Sequence, residues 1–329
     1  VHVRLITGYG GAPVDPLLRT GWLDWRCTYY SFVFLFVNNT QYYIDSMDAM
    51  DKLMDKLMDD HLDNQLDNHL DDIFTKRVDC WKNTLHISTY LLPLPPPSLK
   101  IKYADTFPTS KRYEKSNIKF FDMDAIDCCL VHAPNALVLN LADDNFPGGC
   151  VSVGSGAQEE ALFRRTNYCS SLKIELYPIQ KDEIIYSPNI SVIKTNEKKE
   201  WKLVDIHSCP KVSFIACPGI RYPDTIIVDN EIQLQESDVD ILQKKIITII
   251  QTAITFKYET IVFGALGCGA WRNPSKHVAQ IMKEVLGDYD GCVPNFYFAI
   301  MNTTDENYIV RNHNKDPIKT IDIFKAVFT

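Results

Sequence analysis

Twice in this 329-residue chain an apolar run ends in a glycine-bearing loop that leads straight into an amphipathic stretch. The first unit runs from Leu137 to Leu172: LVLNLA, then DDNFPGGCVSVGSG, then AQEEALFRRTNYCSSL. The second is TIVFG at Thr260–Gly264, then ALGCGAWRN at Ala265–Asn273, then Pro274 and a helical pattern. A strand that enters a helix through a short loop belongs to an α/β sheet. The loop leaves the strand's carboxyl end, which is where open α/β sheets bind ligands.

The remaining pattern agrees with this class. Strand-like runs stand at Ala136–Ala142, Ile184–Tyr186, Val212–Cys217, Thr260–Gly264 and Asn295–Met301. Within Val239–Ile254, Leu242, Ile246, Ile249, Ile250 and Ala253 recur at helical spacing. Asn273 and Pro274 predict a cap and a first-turn proline for a helix bearing Val278, Ile281, Met282, Val285 and Leu286. Strands alternating with helices predict a mixed, largely parallel sheet covered on both faces.

Three zones follow one another. Residues 1–45 are irregular and aromatic-rich; their GYGG lacks dinucleotide-loop spacing and reads as a turn. The Tyr29–Val37 run is far short of the roughly 18 residues a membrane span needs, and reads as a buried strand or apolar patch. Residues 46–75 carry a tetrapeptide repeat in which Met50, Met54, Met58, Leu62, Leu66 and Leu70 are each followed by Asp. A period of four drifts about 40° per repeat on an α-helix, so the apolar stripe winds around instead of holding one face. The segment reads as a low-complexity insertion without chemistry. Residues 76–329 form the folded domain, with LPLPPPS at Leu92–Ser98 as an extended connector.

Composition excludes several function classes. With 46% hydrophobic and 23% charged residues the chain can bury a sizeable core. Its net charge of −8 supplies no footprint for generic nucleic-acid binding. Ten cysteines show neither a CxxC pair nor zinc-finger spacing. They read as reduced, mostly buried thiols, with no metal site and a cytoplasmic or nuclear setting.

The chemistry sits in the two loops. Gly148 and Gly149 let backbone approach a ligand. Ser155 and Gln158 have capping-box spacing, which predicts a helix start near Gly156. Glu159 and Glu160 then fall in the first turn, where a carboxylate can act as acid or base on a sugar, although acidic residues there also simply complement the helix dipole. The second loop lacks the GK[ST] of a Walker A motif but suits a phosphate held by backbone N–H groups. Arg164 and Arg165 read as an exposed helix face, and His277 as a surface or packing residue.

PGGC-x7-QEE, YSPN at Tyr186–Asn189, ACPGI at Ala216–Ile220 and GALGCGAWRNPxxHVA at Gly264–Ala279 resemble the microbial-type poly(ADP-ribose) glycohydrolases, and RVDCWKNTLHISTY at Arg77–Tyr90 resembles that family's first helix. The resemblance implies a macrodomain-like three-layer α/β/α sandwich that binds ADP-ribose above its sheet. Gly148, Gly149 and Cys150 would line the distal ribose and diphosphate, with Asn140 helping to hold that ribose. Gln158 and Glu159 would orient its hydroxyls, and Glu160 would be the catalytic acid. Gly267, Cys268, Gly269, Ala270 and Trp271 would form the second diphosphate loop. Cys150 replaces the family's third glycine, and a positive φ there would be strained by roughly 1 kcal/mol or more. The implied activity is hydrolysis of ribose–ribose bonds in poly(ADP-ribose), without cofactor or membrane. Removal of mono-ADP-ribose from protein or DNA, or binding of ADP-ribose without turnover, are the rival readings. The opposing pulls of the helix N-terminus and of burial predict that Glu160 becomes protonated only once substrate is bound.

Overall fold

A computed structural model describes residues 67–108, 110–301 and 319–329. The GYGG turn, the Tyr29–Val37 run and most of the tetrapeptide repeat lie outside the described residues. Helix α1 spans Asp67–Tyr90, so it takes in the last part of the repeat.

Seven strands form the main sheet: β1 (Leu99–Lys102), β2 (Asn117–Phe121), β3 (Leu137–Leu141), β4 (Glu183–Ser191), β5 (Lys211–Cys217), β8 (Thr260–Phe263) and β9 (Asn295–Ala299). Their spatial order is β1-β4-β5-β3-β8-β9-β2. From β5 to β2 every pairing is parallel, while β1–β4 and β4–β5 are antiparallel. A separate hairpin, β6 (Thr225–Val228) and β7 (Glu231–Leu234), follows β5.

Helices cover both faces. On one, α4 (Glu236–Thr255), α5 (Ser275–Asp288) and α6 (Thr320–Phe328) pack against Leu137, Leu139, Ile215, Phe263 and Phe298. The α4 stripe read from sequence, Leu242 to Ala253, is fully buried there. Each of its larger side chains contributes on the order of 1.5–3 kcal/mol by leaving water. On the other face, residues of α1, α2 (Ala125–His132) and α3 (Gln158–Arg165) pack against Val138, Phe214, Val262 and Tyr297. The result is the expected three-layer α/β/α arrangement with a mixed, largely parallel sheet. Helix α2 begins where Asp124 accepts from the N–H groups of Ile126 (2.8 Å) and Asp127 (3.1 Å).

Two helix starts differ from the sequence expectation. Helix α3 begins at Gln158 behind Ala157, and no side chain caps it. The Gln158 amide is engaged elsewhere, donating to Leu139 O at 2.7 Å and accepting from Leu141 N at 2.7 Å. That bonding fixes α3 to β3, and no capping box forms. Pro274 occupies the N-cap of α5 instead of its first turn. The Asn273 side chain bonds to the loop after β5 and does not cap the helix.

Arg164 and Arg165 are buried, not exposed. Arg164 folds back to Ser155 O (2.6 Å), while Arg165 pairs with Asp124 and Asp127. The partners of Arg165 come from α2 and its cap, about forty residues earlier in the chain. Among the described residues no helix is long and apolar enough to cross a membrane.

Candidate functional site

β3, β5 and β8 run side by side and in the same direction. Their carboxyl ends therefore deliver three loops to one edge of the sheet: 142–157, 218–224 and 264–274. The first and third are the two glycine loops, and the second begins with the last residues of ACPGI.

The first loop closes on the Glu159–Glu160 pair, both buried at the start of α3. Glu159 is held by three donors. Its Oε1 accepts from Asn140 Nδ2 (3.1 Å) and Gly148 N (3.2 Å), and its Oε2 accepts from Asp143 N (2.7 Å). Glu160 Oε1 accepts from Cys150 N at 3.0 Å, and its carboxyl also feels its own backbone N–H. Its Oε2 is buried with no hydrogen-bond partner, as is Asn140 Oδ1. A buried oxygen in that condition is costly unless something reaches it.

Gly149 explains how the loop lies against the pair. It has φ +52°, and a Cβ there would stand 2.8 Å from Glu160 Oε1 and 3.2 Å from Glu159 Oε2. Cys150 behaves differently from the strained position anticipated for it. Its φ is −99°, in the ordinary region for an L-residue, so its side chain carries no backbone penalty. The expectation of reduced cysteines fits eight free thiols, whereas Cys150 is disulfide-bonded.

Burial raises the proton affinity of both carboxylates. Glu159 stands well above the ordinary range because of burial, then repulsion from Glu160 and Asp143, against the Asp143 N–H and the Asn140 amide. Glu160 is raised by burial, opposed by the Cys150 N–H and the Arg164 charge. Burial lowers Arg164 itself to about 10. Both shifts therefore run towards the protonated form, with burial as the first cause of each. Removing the pair from water outweighs the α3 N-terminus.

The second glycine loop is closed around the Asn273 amide. Asn273 Nδ2 donates to Ile220 O (2.6 Å) and Trp271 O (3.3 Å), and its Oδ1 accepts from Ile220 N (3.2 Å). Gly267 has φ +73°, and a Cβ there would lie 2.6–2.8 Å from the Asn273 amide. Turns bond Cys268 N to Ala265 O and Arg272 N to Gly269 O. Trp271 lies under the Arg221 guanidinium, 4.4 Å from its carbon to the ring centroid. Arg221 also pairs with Asp143 and Asp144 of the first loop.

The structure therefore gathers Asn140, Gly148, Gly149, Cys150, Gln158, Glu159 and Glu160 around one carboxylate pair. The 267–271 segment stands at the same sheet edge. Sequence reasoning missed Asp143, Asp144 and Arg221, because no spacing links two acids after β3 to a lone arginine after β5. His277 Nδ1 accepts from Leu234 N (2.9 Å), a packing role. Among the described residues no three His, Cys, Asp or Glu side chains converge to hold a metal ion.

Comparison with known proteins bears on the fold. Residues 97–195 match the family model "Microbial-type PARG, catalytic domain". Poly(ADP-ribose) glycohydrolase from Thermomonospora curvata superposes with a TM-score of 0.61 at 18% identity, over 77% of this chain and all 100% of that one. The fold is that of a poly(ADP-ribose) glycohydrolase. The same bacterial protein bound to the inhibitor ADP-HPD gives 0.59 at 19% identity, covering 77% and 99% of the two chains. The Deinococcus radiodurans protein in complex with ADP-ribose gives 0.51 at 18%, covering 77% and 91%. No curated protein matches the chain. The family match spans β1, β2, α2, β3, the first glycine loop, α3 and β4, so it contains the whole carboxylate pair.

Proposed function

We propose that this chain is a glycosidase that hydrolyses ribose–ribose O-glycosidic bonds in poly(ADP-ribose) and releases ADP-ribose, with Glu160 as its acid and base. The observation that carries this reading is the unequal treatment of two adjacent buried carboxylates. Glu159 meets three N–H donors from β3 and the loop, while the loop reaches Glu160 only through Cys150 N and leaves Oε2 unpartnered. Two charges so close in a buried site favour sharing a proton. Burial raises both carboxyls, Glu159 the more, so the pair holds a proton in common. The three N–H donors on Glu159 favour the charge there, and the proton is placed on Glu160 Oε2, which no donor reaches.

In the forward step that proton goes to the glycosidic oxygen as the bond from the anomeric carbon breaks. The electron pair leaves with the protonated oxygen, and an oxocarbenium-like centre remains. Water then attacks that centre and gives a proton back to Glu160, restoring the starting state. Glu159 and Asn140 would orient the ribose. Gln158 fixes α3 to β3 and so sets where the pair stands. The 148–150 and 267–271 loops would hold the diphosphate by their backbone, as in a macrodomain-type cleft. Support comes from the family match across the pair and from relatives solved with ADP-ribose and ADP-HPD.

Incubation of the purified protein with poly(ADP-ribose) tests the proposal. Release of free ADP-ribose is expected. ADP-ribose binding without release from the polymer would overturn it in favour of a binding module or a hydrolase of mono-ADP-ribosylated substrates.

A further inference from the structure

We infer that Arg221 is a positioning residue, a clamp that ties the loop carrying Asp143 and Asp144 to Trp271 and so fixes the spacing between the two ligand-facing glycine loops. The identity of the ligand rests on the function proposed above; the clamp itself does not.

Three loops meet at this one side chain. From the β5–β6 loop, Arg221 Nη2 donates to Asp143 Oδ2 at 2.8 Å and Nε donates to Asp144 Oδ1 at 3.1 Å. The flat of the guanidinium lies over Trp271, 4.4 Å from the ring centroid. Forked bonding in the plane and stacking on the face are together possible for arginine and not for lysine. Next to it, Ile220 is bonded through both N–H and carbonyl to Asn273, so the backbone beneath the clamp is anchored to the second loop.

On the other side the clamp reaches the carboxylate pair in one step. Asp143, whose carboxylate Arg221 holds, donates its own N–H to Glu159 Oε2 at 2.7 Å. Its Oδ1 also orders the loop by accepting from Asn145 N (2.8 Å) and Phe146 N (3.2 Å). Trp271, Arg221, Asp143 and Glu159 therefore form a continuous path from one loop to the other.

The charges around this path explain why a cation belongs there. Asp143 bears electrostatically on both Glu159 and Glu160. The neighbouring cations are Arg164, which faces Glu160, and Lys245, which feels Asp144 while bonded to Pro218 O. Tyr168 and Tyr177 face Glu159 as neutral phenols, raised by burial. Burial alone would lower Arg221, but Asp144 and Asp143 outweigh it and hold the guanidinium above its ordinary value. Arg221 thus stays charged and offsets the acidic rim beside the site.

The test compares Arg221→Ala and Arg221→Lys with wild type, reading acrylamide quenching of Trp271 and the pH profile of ADP-ribose release. The chain has five tryptophans, so Trp271→Phe supplies the difference signal. Loss of the clamp is expected to raise Trp271 quenching and to lower kcat/KM about tenfold, the scale of a misplaced binding loop. In Arg221→Ala the unmasked Asp143 raises the Glu160 pKa further, so the basic limb of the profile moves to higher pH. Arg221→Lys, keeping the charge without the fork, should restore the limb but not kcat/KM. Unchanged Trp271 quenching in Arg221→Ala overturns the clamp whatever the activity. A wild-type protein that neither binds nor releases ADP-ribose sinks the proposed function, and Trp271 quenching still decides the clamp.

Discussion

The two glycine loops leave neighbouring parallel strands and enter helices in the same way, yet they are closed by opposite chemistry. The first folds over two buried carboxylates, and its backbone N–H groups at 143, 148 and 150 all point at them. The second folds around the amide of Asn273 and the bare backbone of Gly267, with no charge inside it. Shared topology therefore places both loops at the ligand edge, but only the first can hold and release a proton. The second can offer backbone dipoles and shape. Substitutions that interrupt the first loop should act on turnover, and those that interrupt the second on binding and stability.

The largest expected effect breaks the comparison at its root. Glu160→Gln keeps the size of the side chain and its place against Cys150 N, but it cannot donate and recover a proton. Release of ADP-ribose should fall by about a thousandfold, within the range for loss of a general acid, while ADP-ribose affinity measured by calorimetry stays close to wild type. Full activity in this variant would remove Glu160 from the chemistry and leave the pair as a structural feature.

Gly149→Ala comes next. A left-handed φ costs an L-residue about 1–2 kcal/mol, and the new methyl would also press on Glu160 Oε1 and Glu159 Oε2. Both kcat and stability should drop, with kcat falling more than ADP-ribose affinity. Equal losses in binding and kcat would mean that the first loop is a cradle like the second. In the second loop, Asn273→Ala removes bonds to Ile220 and Trp271 and should cost about 1–3 kcal/mol in chemical denaturation. Its kcat at saturating substrate should stay near wild type while KM rises.

Much of this contrast was legible in the chain before folding. Apolar runs, the helical stripe of α4 and the stripe of α5 reported secondary structure through local periodicity, and those stripes are buried as read. Short β1 and β2 did not stand out, since each exposes half its residues or more at a sheet edge and carries no long apolar run. The Gln-Glu-Glu helix start was visible as chemistry, but the direction of its proton balance was not. That balance depends on burial against β3 and the 143–150 loop, which local sequence does not express. Arg164 shows the limit plainly. Its neighbours in sequence suggested a solvated helix face, yet Thr84 and Cys80 of α1 cover its carbonyl and bury it. Arg221 was invisible for the same reason, its partners being brought together only by the sheet order.

The smallest effect sharpens the comparison through pH. Glu159 and Glu160 are raised above their ordinary values by burial in the folded protein. A raised carboxylate adds stability that is complete below its unfolded pKa and is lost as pH climbs through the folded value. The first loop should therefore tilt stability downward between weakly acidic and neutral pH. Other carboxylates work in the opposite sense. Glu183 is lowered by Lys100 and Lys102 against the pull of burial, and Asp290 is lowered by the Ser116 N–H, so their contributions vanish toward acid. Thermal melting across this range should show an acid limb from the second group and a shallower neutral decline from the pair. Glu160→Gln, which removes the carboxyl that takes the proton, should flatten the neutral decline and leave the acid limb in place. Asn273→Ala should lower the whole curve without changing its shape, because the bonds it removes are between neutral groups. A neutral decline that survives Glu160→Gln would mean that the proton sits on Glu159 and that the assignment of the acid is reversed.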